Sequence, residues 1–340
     1  MTDPTKRIRP TNPGRLAAPR QAQQLPPLPV TRARIGERVA TEVFQEMGEG
    51  MLEELQNFRR DLHRNPEIGL DLPRTQKKVL EALEGLPLEI HVGQDLSSVV
   101  AVLRGGQRGE RPVSVLLRAD MDALPVTEET GLEYAPSVPG TMHACGHDLH
   151  TAGLYGALAW LVRRRGELTA DVVAMFQPGE ETGGGALHMI QEGLLEAAGR
   201  PVDAAYAIHV SSGTYPRGVL LSRPGAIQAG CDDLVVTVHG RGGHGSVPHL
   251  AQDPVPVAAE MVLALQSVVT RQFDAFDPVV ATVGHLSAGT AANIIPDSAT
   301  LALTLRTFSA DARARLLSAV ERLVHGIAAA HGMSAQVRTD

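Results

Sequence analysis

Apolar positions along this chain recur with two different periods, and the period changes where the architecture changes. Residues 41–64 carry a helical spacing that ends before Pro66. Val113–Arg118 is a short apolar run, read as a buried strand entering Ala119-Asp120-Met121-Asp122. Thr151–Arg165 returns to helical spacing, with Leu154, Leu158 and Leu161 on one face. Asp171–Phe176 reads as the next strand and runs into Gln177-Pro178-Gly179-Glu180-Glu181; Ala204–Ile208 reads as another and runs into His209-Val210. Three strands thus deliver polar side chains at their C-terminal ends. Open α/β sheets place their sites there, because the strand ends converge on a crevice.

Near Gly225 the pattern changes. Asp233–His239 alternates like a half-buried strand, and Asp253–Val269 is helical with Pro254 and Pro256 in or near its first turn. Pro278–Leu286 and Ala299–Thr307 read as strands, with Leu301, Leu303 and Leu305 sharing one face. Asp311–Ala330 is an amphipathic helix, and Ser334–Arg338 a short last strand. The order βαββαβ is the split-βαβ, ferredoxin-like pattern. The expected fold is therefore α/β over 41–224, with a mainly parallel sheet flanked by helices, followed by an α+β βαββαβ domain over 225–340. A chain of 340 residues is long for one core, which agrees with two domains.

Residues 1–40 fit neither period. They hold seven prolines, eight basic and two acidic residues, including the polyproline-like run Pro26-Pro27-Leu28-Pro29. They read as a disordered basic leader. The whole chain carries a net charge of −7 and only 3% aromatic residues, which argues against a nucleic-acid partner. Two cysteines, Cys145 and Cys231, do not make a disulfide scaffold, and the chain reads as cytoplasmic. No apolar run reaches the roughly 18–20 residues of a membrane span, and the start shows no signal-peptide core.

The densest chemistry lies in His143-Ala144-Cys145-Gly146-His147-Asp148-Leu149-His150. Eight residues hold three imidazoles, a thiol and a carboxylate, the side chains that bind divalent transition metals. Their place at the mouth of a helix favours the thiolate. Glu180 and Glu181 follow a strand and precede three glycines. Adjacent residues of an extended chain point oppositely, so one carboxylate can ligate a metal while the other faces substrate as a general base. His209, at a third strand end, is a further ligand candidate. In the second domain, His244 on a glycine loop could donate a hydrogen bond to a developing oxyanion, and Arg306 suits carboxylate binding.

Together the residues resemble the aminoacylase-type binuclear metallopeptidases, in the branch of hippurate hydrolases, N-acyl-amino-acid amidohydrolases and indoleacetyl-amino-acid hydrolases. The resemblance is carried by Leu62–Gly69, Arg118–Pro125, Met142–His150, Phe176–Gly185, His209, Gly242-Gly243-His244 and Asn293-Ile294-Ile295-Pro296, in that order. It implies a metal-dependent amidohydrolase that cleaves the amide bond of N-acyl amino acids. Two divalent ions per subunit (Mn²⁺, Zn²⁺, Co²⁺ or Ni²⁺) would be held by Cys145 as the bridge and by His147, Glu181 and His209. Glu180 would take the proton of the attacking water. Asp122 and Asp148 would orient ligands, and Asn293 and Arg306 would hold the substrate carboxylate. The second domain would be a lid and homodimerisation unit, with His244 reaching the partner's site. The family pattern also implies a return to the first domain with a last His ligand. The chain ends at Asp340 before such a segment, so the expected first domain is incomplete, and a truncated, inactive pseudoenzyme is the alternative.

Overall fold

The computed structural model describes residues 31–33, 37–136, 139–212, 215 and 218–339. They form two compact units, one spanning Ala33–Leu220 and the other mainly Leu221–Asp340. Most of the expected leader, including Pro26–Pro29, lies outside the described residues. Its upper end does not: Thr31–Ala33 is a strand (β1), and the first helix begins at Glu37, inside the span read as disordered.

The first unit is a three-layer sandwich. Helices α1 (Glu37–Arg64, interrupted at Gly48), α2 (Pro73–Leu83) and α3 (His147–Arg163) supply one layer. The sheet holds β2 (Glu89–Val92), β3 (Val99–Leu103), β4 (Val113–Asp120), β5 (Ala170–Gln177) and β6 (Ala204–Ala207), in the order β2-β3-β5-β4-β6. Helix α4 (Gly185–Gln191) belongs to the other side. All five residues of β3 are buried. Val99, Ala101 and Leu103 pack with Val79, Leu154 and Leu158 of the helices, while Val100 and Val102 pack with Met189 and Leu194. A strand covered on both faces needs an unbroken apolar run, which is why period-two alternation is missing there. Each fully buried Leu or Val side chain contributes about 1.5–3 kcal/mol through the water it sheds.

The sheet is mixed, not mainly parallel. β4 pairs in parallel with β5 and β6, whereas β3 pairs antiparallel with β2 and β5. The cause is local: residues 93–98 join β2 to β3, too short a link for a parallel crossover. The three strands that carry polar residues at their C-terminal ends are the parallel ones, so those ends share one edge of the sheet.

β7 (Leu220–Ser222) pairs with β1 in a small two-stranded sheet. In the second unit, β8 (Gly230–His239), β10 (Val280–Ala288), β12 (Ser298–Thr307) and β13 (Ser334–Thr339) form an antiparallel sheet in the order β10-β12-β8-β13. With helices α5 (Pro254–Gln272) and α6 (Ala310–Ala330), this is the βαββαβ ferredoxin-like topology. Val236 and Val238, Leu301 and Leu303, Met261, Leu265, Leu316 and Val320 form its core. Two short strands, β9 (Gly243–His244) and β11 (Ile294–Ile295), pair with each other. Among the described residues, no helix is long and apolar enough to cross a membrane.

Candidate metal centre

The site of the first unit is assembled where β4 and β5 end and α3 begins. Gly146 has φ 85° and turns the chain into α3, whose first residues are His147 and Asp148. The helix thus starts four residues earlier than its apolar spacing suggests. A side chain on Gly146 would be strained by that backbone conformation.

His147 is fully buried, and its Nδ1 donates to the carbonyl oxygen of Asp122 at 2.8 Å. The Nε2 lone pair then faces Glu180 Oε2 and Glu181 Oε1, each at 3.8 Å, and Asp120 Oδ2 at 3.6 Å. The Asp122 carboxylate accepts from the backbone N–H of Glu180 and of Glu181, both at 3.0 Å. One buried aspartate therefore fixes the imidazole and both glutamates. Cys145 Sγ lies 3.3 Å from His209 Nε2, and the charge of the nearby Glu181 carboxylate also acts on the thiol. Two overlapping groups result, Cys145-His147-His209 and His147-Glu180-Glu181, each with its ligand atoms within 4.8 Å of one another.

The electrostatics of this pocket are unfavourable without a cation. Burial first, then the charges of Glu181, Glu180 and Asp120, push the Cys145 thiol up to about 12. The helix start does not win against three nearby carboxylates. Glu180 is also raised, by burial first and then by Asp120 and Glu181. Burial opposes protonation of His147, but the Asp122 hydrogen bond and the charges of Asp120, Asp122 and Glu181 together raise it. His147 Nε2 and Glu181 Oε1 are buried without a hydrogen-bond partner among the described residues. Orphaned buried acceptors beside a thiol and clustered acids form a mixed S/N/O donor set that divalent transition ions fit. Glu180 is 38% exposed and Glu181 21%, so Glu180 is the carboxylate more open to a reactant.

A second buried cluster lies beside the first. Asp148 Oδ2 is 2.7 Å from His63 Nδ1 and 2.7 Å from Arg59 Nε, both on α1. The other nitrogen of His63 lies 3.0 Å from Glu128 Oε2. Burial would raise Asp148, but the His63 hydrogen bond and the charges of His143 and Arg59 hold it below the usual carboxylate range. His143 is buried with neither ring nitrogen hydrogen-bonded among the described residues, and burial pulls it down to about 4. Arg59, His63 and Glu128 were not legible as a unit, because 65 residues separate His63 from Glu128.

In the second unit, the β9–β11 pair brings His244 and Asn293 together: His244 is opposite Ile294, and the Gly245 N–H donates to the Asn293 carbonyl at 2.8 Å. Ser246 N–H donates to His244 Nδ1 at 3.2 Å, so the ring proton lies on Nε2, which is the donor form. Arg306 is not part of this group. His244 and Asn293 lie at the Ser298 end of β12, whereas Arg306 is exposed near its other end, eight steps or roughly 27 Å along the strand. Within one copy, Asn293 thus lies beside His244 and Arg306 lies apart from both.

The chain matches the model of Peptidase family M20/M25/M40 over residues 116–313. It is 38% identical over 284 residues to thermostable carboxypeptidase 2 of Saccharolobus solfataricus, covering 83% of this chain and 70% of that protein. It is 38% identical over 283 residues to N-acetylcysteine deacetylase of Bacillus subtilis, covering 83% of this chain and 72% of that one. A solved structure from Bacillus subtilis, described as a dinuclear metal-binding peptidase of the M20 family, superposes with a TM-score of 0.69 at 33% identity, over 86% of this chain and 74% of that chain. The ordered site at the strand ends and these likenesses agree: the chain belongs to Peptidase family M20/M25/M40 and is a metal-dependent hydrolase.

Proposed function

We propose that the protein hydrolyses the amide bond of small N-acyl amino acids at a site holding two divalent ions. The observation that carries this reading is the Asp122 clamp, which presents His147, Glu180 and Glu181 to one point beside Cys145 and His209. The similarity to N-acetylcysteine deacetylase supports the substrate class. Cys145 touches His209 and shares one cluster with it and His147, which suits a bridging thiolate; His147, Glu181 and His209 would complete the set. Asp122 acts as an orienting group through the contacts above, and Asp148, paired with His63 and Arg59, supports the start of α3 that carries His147.

When bound, the two ions supply positive charge that acidifies a water and polarises an amide carbonyl. The other tasks fall to side chains. Glu180, the more open acid, takes a proton from water and returns it to the departing amine. Its raised affinity for a proton brings it toward the range where one carboxyl serves as base and then as acid. His244 Nε2–H donates to the carbonyl oxygen as that oxygen gains charge. Arg306 binds the substrate carboxylate, with Asn293 contributing from another copy, since the two lie apart within one copy. That division requires a homodimer formed through the βαββαβ unit, which would also act as a lid. The two unpaired cysteines suit a reducing cytoplasm. Mn²⁺, Zn²⁺, Co²⁺ and Ni²⁺ all suit the donor set. The comparisons do not favour a catalytically inactive chain, since the relatives carry the names of hydrolysing enzymes.

The test is Glu180→Gln. Amide hydrolysis should fall by about 10²–10⁴-fold, with bound metal per subunit unchanged by elemental analysis. Retained activity would remove Glu180 as the base.

A further inference from the structure

His150 is a buried imidazole that the proposed reaction leaves without a part. Its Nδ1 lies 2.6 Å from Asp120 Oδ1, and its Nε2 lies 2.9 Å from the backbone nitrogen of Val210. A backbone N–H can only donate, so Nε2 must present its lone pair to Val210, and the ring proton sits on Nδ1, donated to Asp120. Both nitrogens are occupied within the protein. Asp120, His147 and His150 lie close enough to resemble a ligand triad, yet His150 has no lone pair left for an ion.

The group it holds is the one that follows His209. Among the described residues β6 is an edge strand; Tyr206 within it and Ile208 just beyond it are 63% and 65% exposed, and His209 is exposed as well. Pairing of β6 with β4 runs only to Ala207, opposite Arg118, so the ladder stops short of His209. Beyond the ladder, Val210 is held in two ways. Its N–H is bound by His150, and its side chain packs on Gly146 so closely that a Cβ there would lie 2.4 Å from Val210 Cγ2. His209 Nδ1 in turn donates to the Val210 carbonyl at 2.6 Å, which leaves His209 Nε2 directed at Cys145 Sγ, 3.3 Å away.

We infer that His150 is a positioning residue: the Asp120–His150 pair fixes the Val210 amide and thereby aims His209 Nε2 at Cys145. The inference rests on the reading of Cys145 and His209 as metal ligands. Groups that orient a ligating imidazole typically change metal affinity by 10–100-fold. A residue that merely fills the interior would change folding stability and leave the affinity of the folded protein alone.

The experiment is a Co²⁺ titration of the metal-free full chain, read by thiolate-to-Co²⁺ charge-transfer absorption and by stoichiometry. His150→Leu keeps the volume and removes both hydrogen bonds; it should weaken one Co²⁺ site at least about tenfold and diminish the charge-transfer band. His150→Gln keeps an acceptor for Val210 and a donor, and should restore affinity to within about threefold of the parent, a margin well below the tenfold loss expected when the orienting bonds go. If His150→Leu does not fold, His150→Asn decides, being too short to reach Val210 while still bonding Asp120: it should show the tenfold loss. Parent-like affinity in the Leu or Asn variant, or a loss in Gln equal to that in Leu, overturns the inference. Absence of charge transfer in the unsubstituted chain would instead overturn the reading of Cys145 as a ligand.

Discussion

Burial sets the chemistry of single residues here as strongly as residue type does. Cys145 is held as a thiol by burial first and then by its carboxylate neighbours, against the pull of the helix start. His143 shows the same logic in reverse, since burial depresses it from 6.5 to about 4. Between those values an unfolded chain takes up a proton that the folded chain refuses, so stability rises with pH across this window. From pH 7 down to pH 5 the lost increment is about 2 kcal/mol for this one group. His143→Leu should shrink the pH 7-to-5 difference in unfolding free energy by that amount in urea titrations. An unchanged difference would mean that His143 is not the group responsible.

Between elements, the decisive contact is that of α1 with the first turn of α3. His63 places one ring nitrogen against Asp148 and the other against Glu128, in a buried setting. Removing the shared partner leaves Glu128 without it and Asp148 with Arg59 alone. Breaking such a buried pair is costly because the remaining charge stays desolvated. His63→Leu should therefore destabilise the first unit by about 3 kcal/mol, measured by denaturant unfolding, although leucine is apolar and fills the space. A loss below 1 kcal/mol would show that the cluster is hydrated or rearranges.

For the whole molecule, the proposal to test is that the site draws on two copies. His244 and Asn293 lie at one end of β12 and Arg306 near the other. Mixing and reassociating Glu180→Gln with His244→Ala, each inactive alone, should regenerate activity, because a mixed dimer has one site with both residues intact. Mixtures that stay inactive, although mass analysis shows mixed dimers, would place His244 in its own copy's site.

The sequence by itself determined a good deal. The parallel strands β4, β5 and β6, the βαββαβ order of the second unit and the fold of helix and strand around Cys145 follow from local period and strand-end polarity, which short windows record. Cys145, His147, Glu180, Glu181 and His209 stand out because reactive residue types crowd at the mouth of a predicted helix and at predicted strand ends. Other features escape that logic. Val99–Leu103 carries no alternation, since it is covered on both faces, and the hairpin to β2 makes the sheet mixed. Only the tertiary structure joined Asp122 to the two glutamates, His63 to Glu128, and His150 to Val210. It also set Arg306, near the far end of β12, apart from Asn293, which precedes β11 and lies thirteen positions earlier in sequence. Periodicity records which face of an element is buried. Which side chains meet across elements depends on register and packing direction, and those are fixed only when the layers close on one another.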